Sequence, residues 1–102
     1  MKRVLFTLLA ATALSAPAFA DGLALATQKN CLACHAVDKK VVGPAYKDVA
    51  KKYAGDKSAA DKLAKKIVEG GSGVWGPIPM PANTQVSAAE AKELVSWVLS
   101  LK

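Results

Sequence analysis

Five consecutive positions, Cys31-Leu32-Ala33-Cys34-His35, hold the residues best able to do chemistry. On a helical turn, residues three and four apart share a face. Cys31 and Cys34 can therefore reach the two vinyl groups of one porphyrin and form thioethers, while His35 brings its imidazole to the iron. C-x-x-C-H is the attachment pattern of c-type haem. His35 is the only histidine in the chain, so bis-histidine ligation within it is excluded. Beyond the first twenty residues Met80 is the only methionine, and if a methionine ligates the iron it is this one. Met/His ligation raises the reduction potential. Methionines more commonly fill gaps in a core. Met80, however, stands between Pro79 and Pro81 on an irregular stretch downstream of the cysteine pair, and this favours ligation.

Competing uses of the cysteine pair lack their usual context. A zinc site wants four ligands, whereas Cys31, Cys34 and His35 supply three, crowded together with no second pair. A thioredoxin-like dithiol belongs in a βαβ setting. A Cys31–Cys34 disulfide closes a loop too small to stabilise much, and remains the expected fate of the haem-free chain. A haem enzyme or ligand sensor needs an open iron position, and peroxidase chemistry adds a distal acid/base. Residues 21–102 contain no second histidine and no arginine.

The elements that must position these groups follow a leader. Lys2 and Arg3 precede the uncharged run from Val4 to Leu14, and Ala18-Phe19-Ala20 forms a small-x-small site before Asp21. These parts, in this order, predict a secretory signal peptide over 1–20, cleaved after Ala20, and the apolar run is too short to span a membrane. The product would be periplasmic. What remains, 21–102, is a single domain of 82 residues with a net charge of +4 once Lys2 and Arg3 are removed. A domain of this size is marginal without a staple or cofactor. Its modest, scattered positive charge suits acidic docking surfaces rather than nucleic acid.

Hydrophobic periodicity predicts an all-α domain of four short helices. The first runs from about Leu23 into the cysteine pair. A second starts at Pro44 and ends at Gly55, with Tyr46, Val49, Ala50 and Tyr53 on one stripe. The third opens at Ser58, with Asp61 as a capping-box-like partner, carries Ala60, Leu63, Ala64 and Ile67 on its apolar face, and stops at Gly70. The fourth starts at Ser87 with Glu90 completing an S-x-x-E box, followed by Leu94, Trp97, Val98 and Leu101. Between the last two helices lies GGSGVWGPIPMPAN, Gly70 to Asn83, too rich in glycine and proline for regular structure. Pro77, Pro79 and Pro81 favour a stiff, extended path around Met80.

Four stretches, CLACH (31–35), VVGPAYKDVAKKYAG (41–55), GVWGPIPMPAN (73–83) and WVLSLK (97–102), resemble the bacterial class I c-type cytochromes of the c-551 kind. The resemblance implies a small cytochrome c-like fold, four short helices around one covalently bound haem c per chain. It also implies a soluble, monomeric electron carrier rather than an enzyme. By the same resemblance the Pro44 carbonyl accepts a hydrogen bond from His35, and the Trp75 indole reaches a haem propionate. Lys66 lies near a propionate, and Asn83 bonds near the methionine sulfur. For Asn83 the alternative is helix or turn capping, and for Lys66 a solvated lysine. Implied partners are redox proteins: a quinol-oxidising complex or another cytochrome as donor, and a terminal oxidase, nitrite reductase or peroxidase as acceptor. Lys39, Lys40, Lys47, Lys51 and Lys52 could ring the haem edge and steer such partners. One position departs from the pattern. Relatives carry an aromatic residue five positions before the first cysteine, where this chain has Ala26. With Gly22 also small, the first helix is expected either to approach Trp97 and Leu101 closely or to fill the gap with Leu23 or Leu25.

Overall fold

A computed structural model describes residues 18–102. The leader predicted over 1–20 lies outside the described residues, save its last three, which form the first turn of a helix. Four α-helices make up the regular structure of the described part: α1 Ala18–Gln28, α2 Tyr46–Lys52, α3 Ala59–Glu69 and α4 Ala88–Ser100. A short 3-10 turn, Cys31–Ala33, stands between α1 and α2.

Helix α4 is the centre, and α1, α2 and α3 all pack on it. Its buried face is Ala91, Leu94, Val95, Trp97 and Val98, one side of a 3.6-residue period. The predicted capping box forms in full: Glu90 N–H donates to Ser87 Oγ at 3.1 Å, and Ser87 N–H donates to Glu90 Oε1 at 3.0 Å. The approach of α1 is close because of Gly22. A Cβ added there would overlap Trp97 Cγ and Cβ, and Ala26, one turn on, is fully buried. Small residues thus let α1 approach α4 closely at Trp97. Leu23 stays exposed, while Leu25 packs part-buried against the core.

Three local expectations need correction. Helix α1 does not run into the cysteine pair but ends at Gln28. Asn30, with φ 64°, then turns the chain, a left-handed conformation that asparagine tolerates. Helix α2 starts at Tyr46 rather than Pro44, because its first N–H groups are held from outside. Tyr46 N–H donates to Ala36 O at 2.9 Å and Lys47 N–H to Val37 O at 3.1 Å, which satisfies donors that a helix start leaves free. At the head of α3, Asp61 does not complete a capping box. Asp56 Oδ1 instead accepts from Ser58 N–H at 2.9 Å and from Ser58 Oγ at 2.7 Å. The buried alanine of the first turn of α3 is accordingly Ala59, and Ala60 is exposed.

The segment from Gly70 to Asn83 has no regular structure but is closed at its neck. Gly71 N–H donates to Met80 O at 3.0 Å, and Met80 N–H donates to Gly71 O at 2.8 Å. Gly70 makes that closure sterically feasible. Its φ is +77°, and an added Cβ would stand 2.6 Å from Met80 O and 2.8 Å from Ala82 N.

Candidate functional site

The turn after α1 and the Met80 loop face each other across a cavity of about 360 Å³, a size typical of small-molecule sites. Cys34, His35, Gly43 and Pro44 line one side, and the loop from Gly71 to Pro81 lines the other. Apolar side chains from three helices close the back: Val49 from α2, Leu63 and Ile67 from α3, Val95 and Val98 from α4. At its rim Val42, Val74, Trp75 and Ile78 are exposed.

His35 is the best-positioned polar group. Its Nδ1 lies 2.8 Å from Pro44 O. A carbonyl can only accept, so Nδ1 carries the proton and Nε2 keeps its lone pair. The ring stacks on Tyr46, with centroids 4.9 Å apart and planes 18° apart. Tyr46 in turn meets Trp97 edge-on at 5.4 Å, tying the site to the α4 core. Gly43 lies close against the ring: an added Cβ would overlap His35 Cε1 and stand 2.8 Å from Nδ1 and 3.0 Å from Nε2. The chain reaches this position because Val42 N–H and Gly43 N–H both donate to Cys34 O, at 3.1 and 2.7 Å. Burial pushes the Tyr46 phenol far above its ordinary value, the nearby Cys31 adding to the shift, so this ring stays neutral. Burial likewise pushes the Cys31 thiol up, opposed in part by its hydrogen bond with Tyr46.

Of the residues expected from the sequence, Cys34, His35, Pro44, Lys66, Trp75 and Met80 meet at this cavity. Cys31 lies beside it, half-buried, packed against the core. The two cysteines are not bonded to each other. Asn83 stands behind the loop. Its Nδ2 donates to Ile67 O at 2.9 Å and to Pro81 O at 3.3 Å, the capping arrangement. Lys52 lies over the Trp75 ring, 5.6 Å from the centroid, in cation–π contact. Of the other lysines expected around the edge, Lys40 lines the cavity, whereas Lys47 is ion-paired with Asp38 at 2.8 Å. Sequence reasoning did not identify two contacts of the histidine, Tyr46 and Gly43. The glycine directly before Pro44 was a signal for the second, since glycine marks close backbone approach. The stacking left no sequence signal.

A helical domain that wraps an apolar cavity between a C-x-x-C-H turn and a methionine loop defines a haem-binding class of protein. Comparison with known proteins narrows it. The family model for cytochrome c matches residues 19–102. Cytochrome c-552 of Hydrogenobacter thermophilus is 57% identical over 97 residues, covering 95% of this chain and 97% of that protein. Cytochrome c-551 of Pseudomonas aeruginosa is 57% identical over 82 residues, covering 80% of this chain and 78% of that protein. The crystal structure of wild-type Nitrosomonas europaea cytochrome c552 superposes with a TM-score of 0.76 at 59% identity, covering 78% of this chain and 99% of that one. The chain belongs to the cytochrome c family. It is an electron-transfer protein rather than an enzyme, a soluble carrier that uses covalently bound haem c and exchanges electrons with redox partners. The residues around the cavity fit that group. The walls are apolar, the donors are an imidazole with a free nitrogen, a thioether and two thiols, and the histidine ring is already fixed from behind.

Proposed function

We propose that Cys31 and Cys34 would anchor the haem through thioether bonds and that His35 and Met80 would supply the two protein ligands to its iron. The observation that carries this reading is that His35 and Met80 line one apolar cavity, the first held by the Pro44 carbonyl and the second by paired backbone bonds to Gly71. When bound, the haem supplies a reversible one-electron couple. Everything else falls to the chain. Pro44 O fixes the His35 ring and makes the imidazole a stronger donor. Tyr46 and Gly43 hold the same ring from its neighbourhood. The proline-rich loop has less freedom to lose on ordering than a glycine-serine loop would, so Met80 stays near its place in both redox states. Val49, Leu63, Ile67, Val95 and Val98 keep water out. Trp75 and Lys66 are assigned to the haem propionates, and Asn83 acts on Met80 through the loop, by holding Pro81 and Ile67.

The same reading takes 1–20 as an export signal cleaved after Ala20 and 21–102 as the periplasmic cytochrome domain, working as a monomer. Among the described residues no helix is long and apolar enough to cross a membrane. The donor is a quinol-oxidising complex or another cytochrome, and the acceptor is a terminal oxidase, nitrite reductase or peroxidase. Acidic surfaces on these partners would meet the lysines near the cavity. Visible spectra of the haem-loaded protein in both redox states test the ligand set. A low-spin ferric spectrum with a methionine–iron charge-transfer band, abolished in Met80→Ala, is expected. A high-spin spectrum with rapid carbon monoxide binding in the unmutated protein would overturn it.

A further inference from the structure

The turn before Cys31 and the loop bearing Met80 are far apart in sequence, yet one exposed side chain bonds to both. Gln85 Nε2 donates to Lys29 O at 3.0 Å and to Asn83 Oδ1 at 3.2 Å. Lys29 returns the contact, its Nζ donating to Gln85 O at 3.1 Å, so the two residues clamp each other's backbone across 56 positions. Beyond Asn83 the chain of bonds continues. Asn83 Nδ2 donates to Ile67 O and Pro81 O, and Asn83 N–H also donates to Ile67 O at 3.0 Å. Pro81 directly follows Met80, whose own N–H and C=O are bonded to Gly71. A continuous hydrogen-bonded path therefore runs from the residue two before Cys31 to the residue after Met80, with Gln85 in the middle.

We propose that Gln85 is a positioning residue that sets the spacing between the haem-attachment turn and the Met80 loop, and so retains Met80 on the iron. This rests on the ligand set proposed above. The side chain suits the task because an amide NH2 offers two donors to two oxygens: the Lys29 carbonyl just before the attachment turn and the Asn83 side chain at the end of the Met80 loop. The path is exposed, so each bond is of ordinary strength, and it adds to the paired Gly71–Met80 bonds that close the loop at its neck.

The test uses the haem-loaded, oxidised protein and two variants, Gln85→Ala and Gln85→Glu. Glutamate keeps the length and gains a charge attractive to Lys29, but it has no donors for Lys29 O and Asn83 Oδ1. Two readouts are taken: amide hydrogen exchange at Met80 and Asn83, and the limiting rate of imidazole binding, which reports departure of the methionine. Both variants should raise exchange and the limiting rate by about five- to thirty-fold, the factor for one to two ordinary hydrogen bonds. Amides of Leu94, Val95 and Val98 should change less than about twofold, since remote sites are nearly independent. Wild-type behaviour in Gln85→Glu, or a uniform rise that includes α4, would overturn the proposal. The exchange readout does not depend on Met80 ligation, so failure of the ligand set would appear separately, as a Met80→Ala spectrum identical to wild type.

Discussion

Placing a methyl group at Gly43 should damage the histidine site, because it would press on the ring edge that carries both nitrogens. Gly43 is not in the left-handed region, so alanine meets no backbone penalty there, and the whole effect is steric. The new Cβ would overlap His35 Cε1 and lie 2.8 and 3.0 Å from the two ring nitrogens. Ordinary contact needs about 3.5–4.0 Å, so ring and backbone must separate by roughly 1 Å. The bond from Nδ1 to Pro44 O, now 2.8 Å, does not survive such a shift. Overpacking costs about 1–3 kcal/mol and the lost hydrogen bond about 1 kcal/mol, giving about 2–4 kcal/mol in sum. In guanidinium chloride the midpoint should fall by about 1 M. The reduction potential should rise, because a histidine without its carbonyl partner donates less to the oxidised iron. Gly55→Ala is the control. That glycine has φ +77° with nothing within 4 Å of an added Cβ, so alanine there should cost about 1–2 kcal/mol of backbone strain and leave the potential unchanged. Wild-type stability and potential in Gly43→Ala would refute the close packing of backbone on the His35 ring.

Other outcomes follow from the same structure. Ser87→Ala removes half of the α4 capping box and should lower stability by about 1 kcal/mol in a denaturant titration. Glu90 is held below its ordinary value, first by the Ser87 N–H and then by Lys29. Its ionised form therefore favours the folded state, a contribution full above the ordinary glutamate pKa and lost as pH falls through the depressed one. Glu90→Gln should accordingly show a shallower loss of stability than wild type on acidification from about pH 5 to pH 3, and an identical acid profile would contradict this. Leu94, 2% exposed at the centre of the core, should cost about 2–5 kcal/mol when cut to alanine, read as a lowered thermal midpoint.

Much of this was legible wherever the determinant was local. The Ser87–Glu90 box lies within one turn, and the buried face of α4 repeats at helical spacing, so both could be read directly. Glycines and prolines marked the Met80 loop, while Gly22 with Ala26 left two options open, a close approach to Trp97 or Leu23 or Leu25 in the gap, and only the folded chain decides between them. What escaped depends on partners distant in sequence. Helix α2 begins two residues after Pro44 because Ala36 and Val37 supply its first acceptors, and no propensity encodes that. Ser58 had two acidic neighbours in reach, and the choice of Asp56 over Asp61 follows from a turn geometry that spacing alone does not decide. At the site, the cysteine–histidine motif and the lone methionine were visible as residue types. The supports of His35 by Tyr46 and Gly43, and the clamp between Lys29 and Gln85, exist only once the chain has folded back on itself.

Whether this polypeptide carries haem bonded through its own two cysteines is read from the intact mass of the coloured protein purified from a host able to attach haem. The expected mass is that of a chain beginning at Asp21 plus one haem, with colour retained in the protein after acid-acetone extraction. Replacing both Cys31 and Cys34 by alanine should give the bare polypeptide mass and an extractable or absent pigment. A wild-type product of bare polypeptide mass, or one whose pigment is extracted by acid acetone, would contradict that attachment.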